Sequence, residues 1–413
     1  MNKILLFLLI IIYFLLTYEP YNNTSKGIVL IGVSIMAIIS VILYFASIIK
    51  YKLNVLKIKY SFDFIGLFFI WILITLILIS GILSPKEFDN VLPLLSLTLI
   101  QIILFGVIFK HYNISIVKGM DYFAYFSFIF GLLAAVIANY VYWYENINYG
   151  FISIGMYESY ERAYSWFANP NYLGNMLAIA ILCNFFLINK ENHWLKNLIL
   201  IISLPFLTIT LLLTGSKAGL LTAIIGIIFY LILIHKFNFI KILASKHILL
   251  SLILGVIVIL ILIYVTDFSH YIEDILRLGN EEEKRLNYWL LGMDLLYAGN
   301  SLDMMLGNGY DFMYYITGSS AHNTYIELLV NQGIIFTLIM LVTIAYVPFK
   351  SIKKLKGKEG LYAKSLIQSI FLMLIIFSMI TTVLFDLRFE YYAYIYIFTI
   401  ITFSNNKNTS LID

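Results

Sequence analysis

Four groups of polar residues interrupt an otherwise apolar chain, and each has a composition suited to chemistry. The first is Arg162 followed by Asn169-Pro170-Asn171. Asn-Pro is a helix start: Asn caps exposed N–H groups, and Pro, with no N–H to lose, fits the first turn. The second is Thr214-Gly215-Ser216-Lys217, a connection between two apolar runs so tight that Lys217 must stand at the end of a span. Its ammonium either reaches out to water or meets an anion beside a helix N-terminus, whose partial positive charge adds to its own. Gly-Ser-Lys lacks the spacing of a nucleotide-binding loop and no strand precedes it, which rules out that use. The third is Arg285, one helical turn before Trp289. The fourth is Gly307-Asn308-Gly309, followed by His322-Asn323 and then Asn331-Gln332-Gly333. A histidine can exchange a proton near neutral pH. Each group also has a plain structural reading, as a helix entrance, a snorkelling lysine, a solvated helix start or a helix cap.

The elements that must position these residues are membrane spans. Of 413 residues, 62% are hydrophobic and 12% charged, about half the charge of an average soluble domain. A soluble fold of this size has no means of hiding so much apolar surface, and the apolar runs are continuous rather than alternating, which excludes a β-barrel. The single cysteine, Cys183, allows no intramolecular disulfide. The fold class expected is an all-α polytopic membrane protein. A span needs roughly 20 apolar residues, and twelve segments qualify: 3–18, 27–49, 63–83, 91–109, 121–143, 171–188, 197–214, 218–234, 247–265, 327–347, 365–385 and 389–404. The first is read as a retained span, because no small-residue cleavage site follows it. The organisation expected is spans one to nine over 1–265, a large extracytoplasmic loop over 266–326, and spans ten to twelve with a tail over 327–413. Within the loop, Asn280 and Glu283 have capping-box spacing. Leu286, Trp289, Leu290, Met293, Leu296 and Tyr297 then follow a helical period, giving an amphipathic helix that ends at Gly299-Asn300.

Alternating these spans from a cytoplasmic N-terminus puts 19 of the 27 Lys and Arg residues on the cytoplasmic side and 8 outside. That is the expected positive-inside bias, with both termini in the cytoplasm. All four arginines, Arg162, Arg277, Arg285 and Arg388, nevertheless fall outside. Topology asks only for positive charge, whereas a guanidinium fork grips phosphate or carboxylate bidentately. An anion site on the outer face follows as an expectation.

Taken in order, these groups resemble the O-antigen ligase and O-antigen polymerase family of bacterial envelope polysaccharide synthesis. The resemblance covers most of the chain and is sharpest over 161–335. It rests on Arg162 ahead of Asn169-Pro170-Asn171, Thr214 to Lys217, Arg285 with Trp289, the Gly-Asn-Gly turn, and His322-Asn323 with Gly333. The chain departs at Lys217, where the family usually has Arg, and at Tyr164 and Ser165, where relatives often carry Gly. The resemblance implies a multi-pass protein of the bacterial cytoplasmic membrane, with its active site on the outer face. It implies transfer of a glycan from an undecaprenyl-diphosphate-linked donor to an acceptor sugar hydroxyl, without cofactor or metal. Arg162, Lys217 and Arg285 would hold the diphosphate, His322 would be the base, and Asn169, Asn171, Trp289 and Asn323 would support them. Glu158, Glu161 and Glu327 are alternates for the base. The partners implied are the lipid-linked oligosaccharide, the acceptor glycan and the bilayer, with a chain-length regulator and a flippase alongside and no nucleic acid. Polymerisation of repeat units is the preferred activity and ligation of finished chains to a lipid core the alternative. A non-catalytic glycolipid transporter is the third reading. It would more often carry charges inside its spans and repeated halves.

Overall fold

A computed structural model of the chain describes residues 64–83, 114–144, 162–235, 281–380 and 389–404, apart from a few positions within them. It also describes the strands 147–149 and 152–154 and scattered helical positions between 95 and 106. The expected spans 3–18, 27–49 and 247–265 lie outside the described residues.

Helices dominate: α1 (Phe64–Ile82), α2 (Ile116–Tyr144), α3 (Pro170–Lys190), α4 (Trp194–Leu213), α5 (Lys217–Ile234), α6 (Glu281–Ala298), α7 (Ser301–Leu306), α8 (Phe312–Thr317), α9 (Thr324–Lys354), α10 (Gly357–Ile380) and α11 (Phe389–Phe403). Among the described residues, α2, α3, α4, α5, α9 and α10 are each long and apolar enough to cross a membrane. The chain is a helical, multi-pass membrane protein. One small element was not expected: an antiparallel hairpin pairing β1 (Ile147–Tyr149) with β2 (Ile152–Ile154), between α2 and α3.

The chain forms two compact units. One draws on Asp121–Glu283 and Lys358–Phe377. Its centre is α3, whose residues from Leu173 to Ile188 are all buried. In a bilayer, spans associate through small residues and interspan hydrogen bonds rather than by escaping water, and this unit uses both. A side chain at Gly131 would collide with Ala180, and one at Gly219 would collide with the backbone of Gly174, so α2 and α5 approach α3 closely. Asn184 donates to Leu200 O and Ser203 Oγ of α4, each at 3.0 Å, and Asn139 of α2 donates to Thr210 Oγ1 at 2.6 Å. Where α3 ends, Lys190 Nζ reaches both carboxylate oxygens of Asp121 at 2.6 Å.

The second unit draws on Lys26–Met120, Lys284–Gly357 and Ser378–Asp413. The α9 helix packs with α1 and α11 through Phe69, Tyr346 and Phe398, whose ring centroids are 5.1 and 6.3 Å apart along the chain of contacts. Lys354 Nζ donates to Ile401 O at 2.6 Å, and Tyr391 and Thr98 share a buried hydrogen bond of 3.0 Å. The expected span over 327–347 is longer than anticipated and is not one helix. It starts at Thr324 and breaks at Gly333, where φ is 77° and ψ 174°.

Candidate functional site

In the first unit the Arg162 and Thr-Gly-Ser-Lys groups meet. Asn169 opens α3 as its sequence suggests, accepting from Asn171 N at 2.8 Å. The preceding chain then folds onto the α4–α5 turn, where Ala163 N donates to Leu213 O at 3.0 Å. This lays the half-buried Arg162 over Gly215: Nε donates to Thr214 O at 2.6 Å and Nη2 to Asn171 Oδ1 at 2.9 Å. Gly215 has φ +58°, and a side chain there would press on Arg162 Nε, so two requirements select glycine. Ser216 caps α5 by accepting from Gly219 N at 3.1 Å. Lys217 is the first residue of α5 and is exposed. Two cations thus stand at one turn, beside a helix N-terminus, in the arrangement that suits an anion.

In the second unit the other two groups meet. Trp289 Nε1 donates to Ala321 O at 2.9 Å, and Glu327 Oε1 accepts from Ala321 N at 2.7 Å. The peptide groups on both sides of Ala321, itself fully buried, are therefore held by side chains from α6 and α9. His322 follows at φ +51°, exposed, with Nδ1 3.3 Å from Ser320 Oγ. A left-handed conformation costs a non-glycine residue roughly 1–2 kcal/mol, and the two bonds to Ala321 offset it. Asn323, not His322, caps α9, accepting from Tyr325 N and Ile326 N at 3.0 and 3.3 Å. The histidine is therefore excused from the capping role that its position suggested.

The glycine motifs brace this assembly. Gly307 and Gly333 approach so closely that a side chain on either would collide with the other's segment. Gly309 N donates to Asn331 O at 2.6 Å, Asn308 Nδ2 to Val330 O at 3.0 Å, and Met313 N to Asn331 Oδ1 at 2.9 Å. The break in α9 is thus filled by the Gly-Asn-Gly turn, which seats α7 and α8 against the span.

No family model matches the chain, and no curated protein matches it significantly. The site is therefore read from its own geometry. Arg162, Asn169, Asn171 and Lys217 gather in one unit, and Trp289, His322 and Asn323 gather in the other. For Arg285 the structure describes the backbone, in α6 one turn before Trp289. Glu158 and Glu161 lie outside the described residues. Glu327 Oε1 is engaged by the backbone ahead of His322, which gives it a role in positioning that loop. Among the described residues no three His, Cys, Asp or Glu side chains gather to hold a metal ion.

Proposed function

We propose that the chain is a glycosyltransferase of the O-antigen polymerase and ligase type, acting at the outer face of a bacterial cytoplasmic membrane. The donor is an oligosaccharide on undecaprenyl diphosphate and the acceptor is a sugar hydroxyl. The hydroxyl oxygen attacks the anomeric carbon and passes its proton to His322. The bond from that carbon to the diphosphate oxygen breaks, its electron pair leaves with the lipid diphosphate, and the anomeric centre inverts. Negative charge grows on the leaving group, so positioned cations lower the barrier most. Arg285 takes that role beside His322, and Arg162 with Lys217, in the first unit, is a second pair of cations suited to an anion. Polymerisation of repeat units is the favoured outcome and ligation to another envelope acceptor the alternative.

The observation that carries this reading is the bond from Trp289 to Ala321. It joins the helix bearing Arg285 to the loop bearing His322, so a cation and a proton acceptor belong to one assembly. The discontinuity in α9 would suit a transporter if it lined a cavity, but it is occupied by the Gly307–Gly309 turn, which favours an enzyme. The cellular test restores polysaccharide synthesis in a strain lacking the gene. His322→Ala and Arg285→Ala should reach wild-type levels in the membrane yet make no polymer, while Lys217→Arg should keep most activity. Polymer from both inactive-site variants at normal length and amount would overturn the assignment.

A further inference from the structure

Among the described residues, the α6–α8 segment presents an exposed apolar edge. In α7 no residue is buried, and Leu302, Met305 and Leu306 form an exposed stripe at i, i+3 and i+4, Leu302 at 65%. Leu290 and Tyr297 of α6 and Tyr315 of α8 are also exposed, at 55%, 69% and 58%. Water is a poor solvent for such an edge, and a large exposed apolar patch marks a membrane or partner site.

The depth of this edge follows from α9. That helix carries no charge between Glu327 and Lys350, and ends in Lys350, Lys353 and Lys354. A hydrocarbon core of about 30 Å takes about 20 residues at ~1.5 Å each. Counting back that length from Lys350 ends near Asn331, so the opposite face of the core lies at the Asn331–Gly333 break. There the C-terminal end of α7 is fixed by Gly307 against Gly333 and by Gly309 N on Asn331 O. The apolar edge therefore stands at the level where hydrocarbon begins, at the end of a span whose Leu338 and Val342 are also exposed. Tyrosines are the residues that favour this level.

We propose that α6, α7 and α8 form an interfacial platform seated in the lipid leaflet opposite Lys350, with Leu302, Met305 and Leu306 dipping to the hydrocarbon boundary. Asn287 and Asp294 share the exposed face of α6 with Leu290 and Tyr297, a mixed face suited to the headgroup level. The platform then fixes a height. Asn323 caps α9 about 12 Å along its axis from Asn331, so with that segment upright His322 stands just beyond a headgroup layer roughly 5–8 Å thick. The inference does not depend on the chemistry proposed above.

The test uses full-length Cys183→Ala protein in vesicles of phosphatidylcholine with a minority of phosphatidylglycerol. Single Leu302→Cys, Met305→Cys and Tyr315→Cys variants carry a nitroxide, and Lys356→Cys and Lys358→Cys, exposed beyond the end of α9, are the water-facing controls. The ratio of collisions with oxygen to collisions with a water-soluble nickel chelate should be several-fold higher at the first three positions than at the controls. A ratio equal to the controls would overturn the proposal. So would labels shielded from both reagents or broadened by a second spin, which would mean that a protein copy covers the edge.

Discussion

Replacing Glu327 by Ala removes the acceptor that holds the buried Ala321 N–H, and its consequence can be worked out. A hydrogen bond to a charged group stabilises by about 1.5–3 kcal/mol, and the donor left behind is buried without a partner of that strength. The occupancy of the native His322 loop relative to its alternatives should fall roughly 10- to 150-fold. Glu327→Gln keeps a carbonyl oxygen within reach but loses the charge, leaving a bond of about 1 kcal/mol, so its loss should be roughly 2- to 30-fold. The Trp289 bond to Ala321 O survives in both. Hydrogen–deuterium exchange on detergent-purified protein reads this directly at the Ala321 amide, with no need of a substrate. Protection should fall in the order wild type, Gln, Ala, with the α10 amides unchanged as an internal control. Unchanged protection at Ala321 in Glu327→Ala would refute the argument that this carboxylate holds the loop.

Three further outcomes follow. Gly333→Ala forces a side chain into a backbone conformation open in practice only to glycine and into the segment carrying Gly307; at about 1–3 kcal/mol for the strain and a similar amount for the overlap, its melting temperature in detergent should drop clearly. Arg162→Lys should lower both melting temperature and polymer yield, because one ammonium has no fork to hold Thr214 O and Asn171 Oδ1 together. Gly174→Leu should fail to accumulate in membranes, since its side chain would collide with Ser216 where α3 crosses the start of α5.

Some of this structure was legible in the residues. Runs without charge marked α3, α4 and α5 to within a few residues, because a bilayer imposes length and hydropathy on a span. Asn169-Pro170 gave the start of α3 because capping is local chemistry. What depends on distant partners was not legible. The α9 run looked continuous, and only Gly307, 26 positions earlier, explains why Gly333 leaves the helix. The bonds from Trp289 to Ala321 and from Arg162 to Thr214 are long-range and leave no period in the sequence. Two local signals were there to be read. Asn300 and Asp303 form a capping box that opens α7, so Asn300, where the helical period of α6 runs out, starts the next helix. Glu327, weighed as a base, stands in the first turn of α9, from which a carboxylate can fold back on the preceding backbone, as capping acids do.

The central claim is the coupled transfer itself, and one assay tests it most directly. Purified protein in vesicles is given a lipid-diphosphate-linked oligosaccharide and an acceptor glycan, with chelator present. Each new glycosidic bond should appear together with one released undecaprenyl diphosphate, in the inverted anomeric configuration, and His322→Ala should slow both by ~10²–10⁴-fold. Intact donor after prolonged incubation with folded wild-type protein, or equal turnover by His322→Ala, would contradict the account.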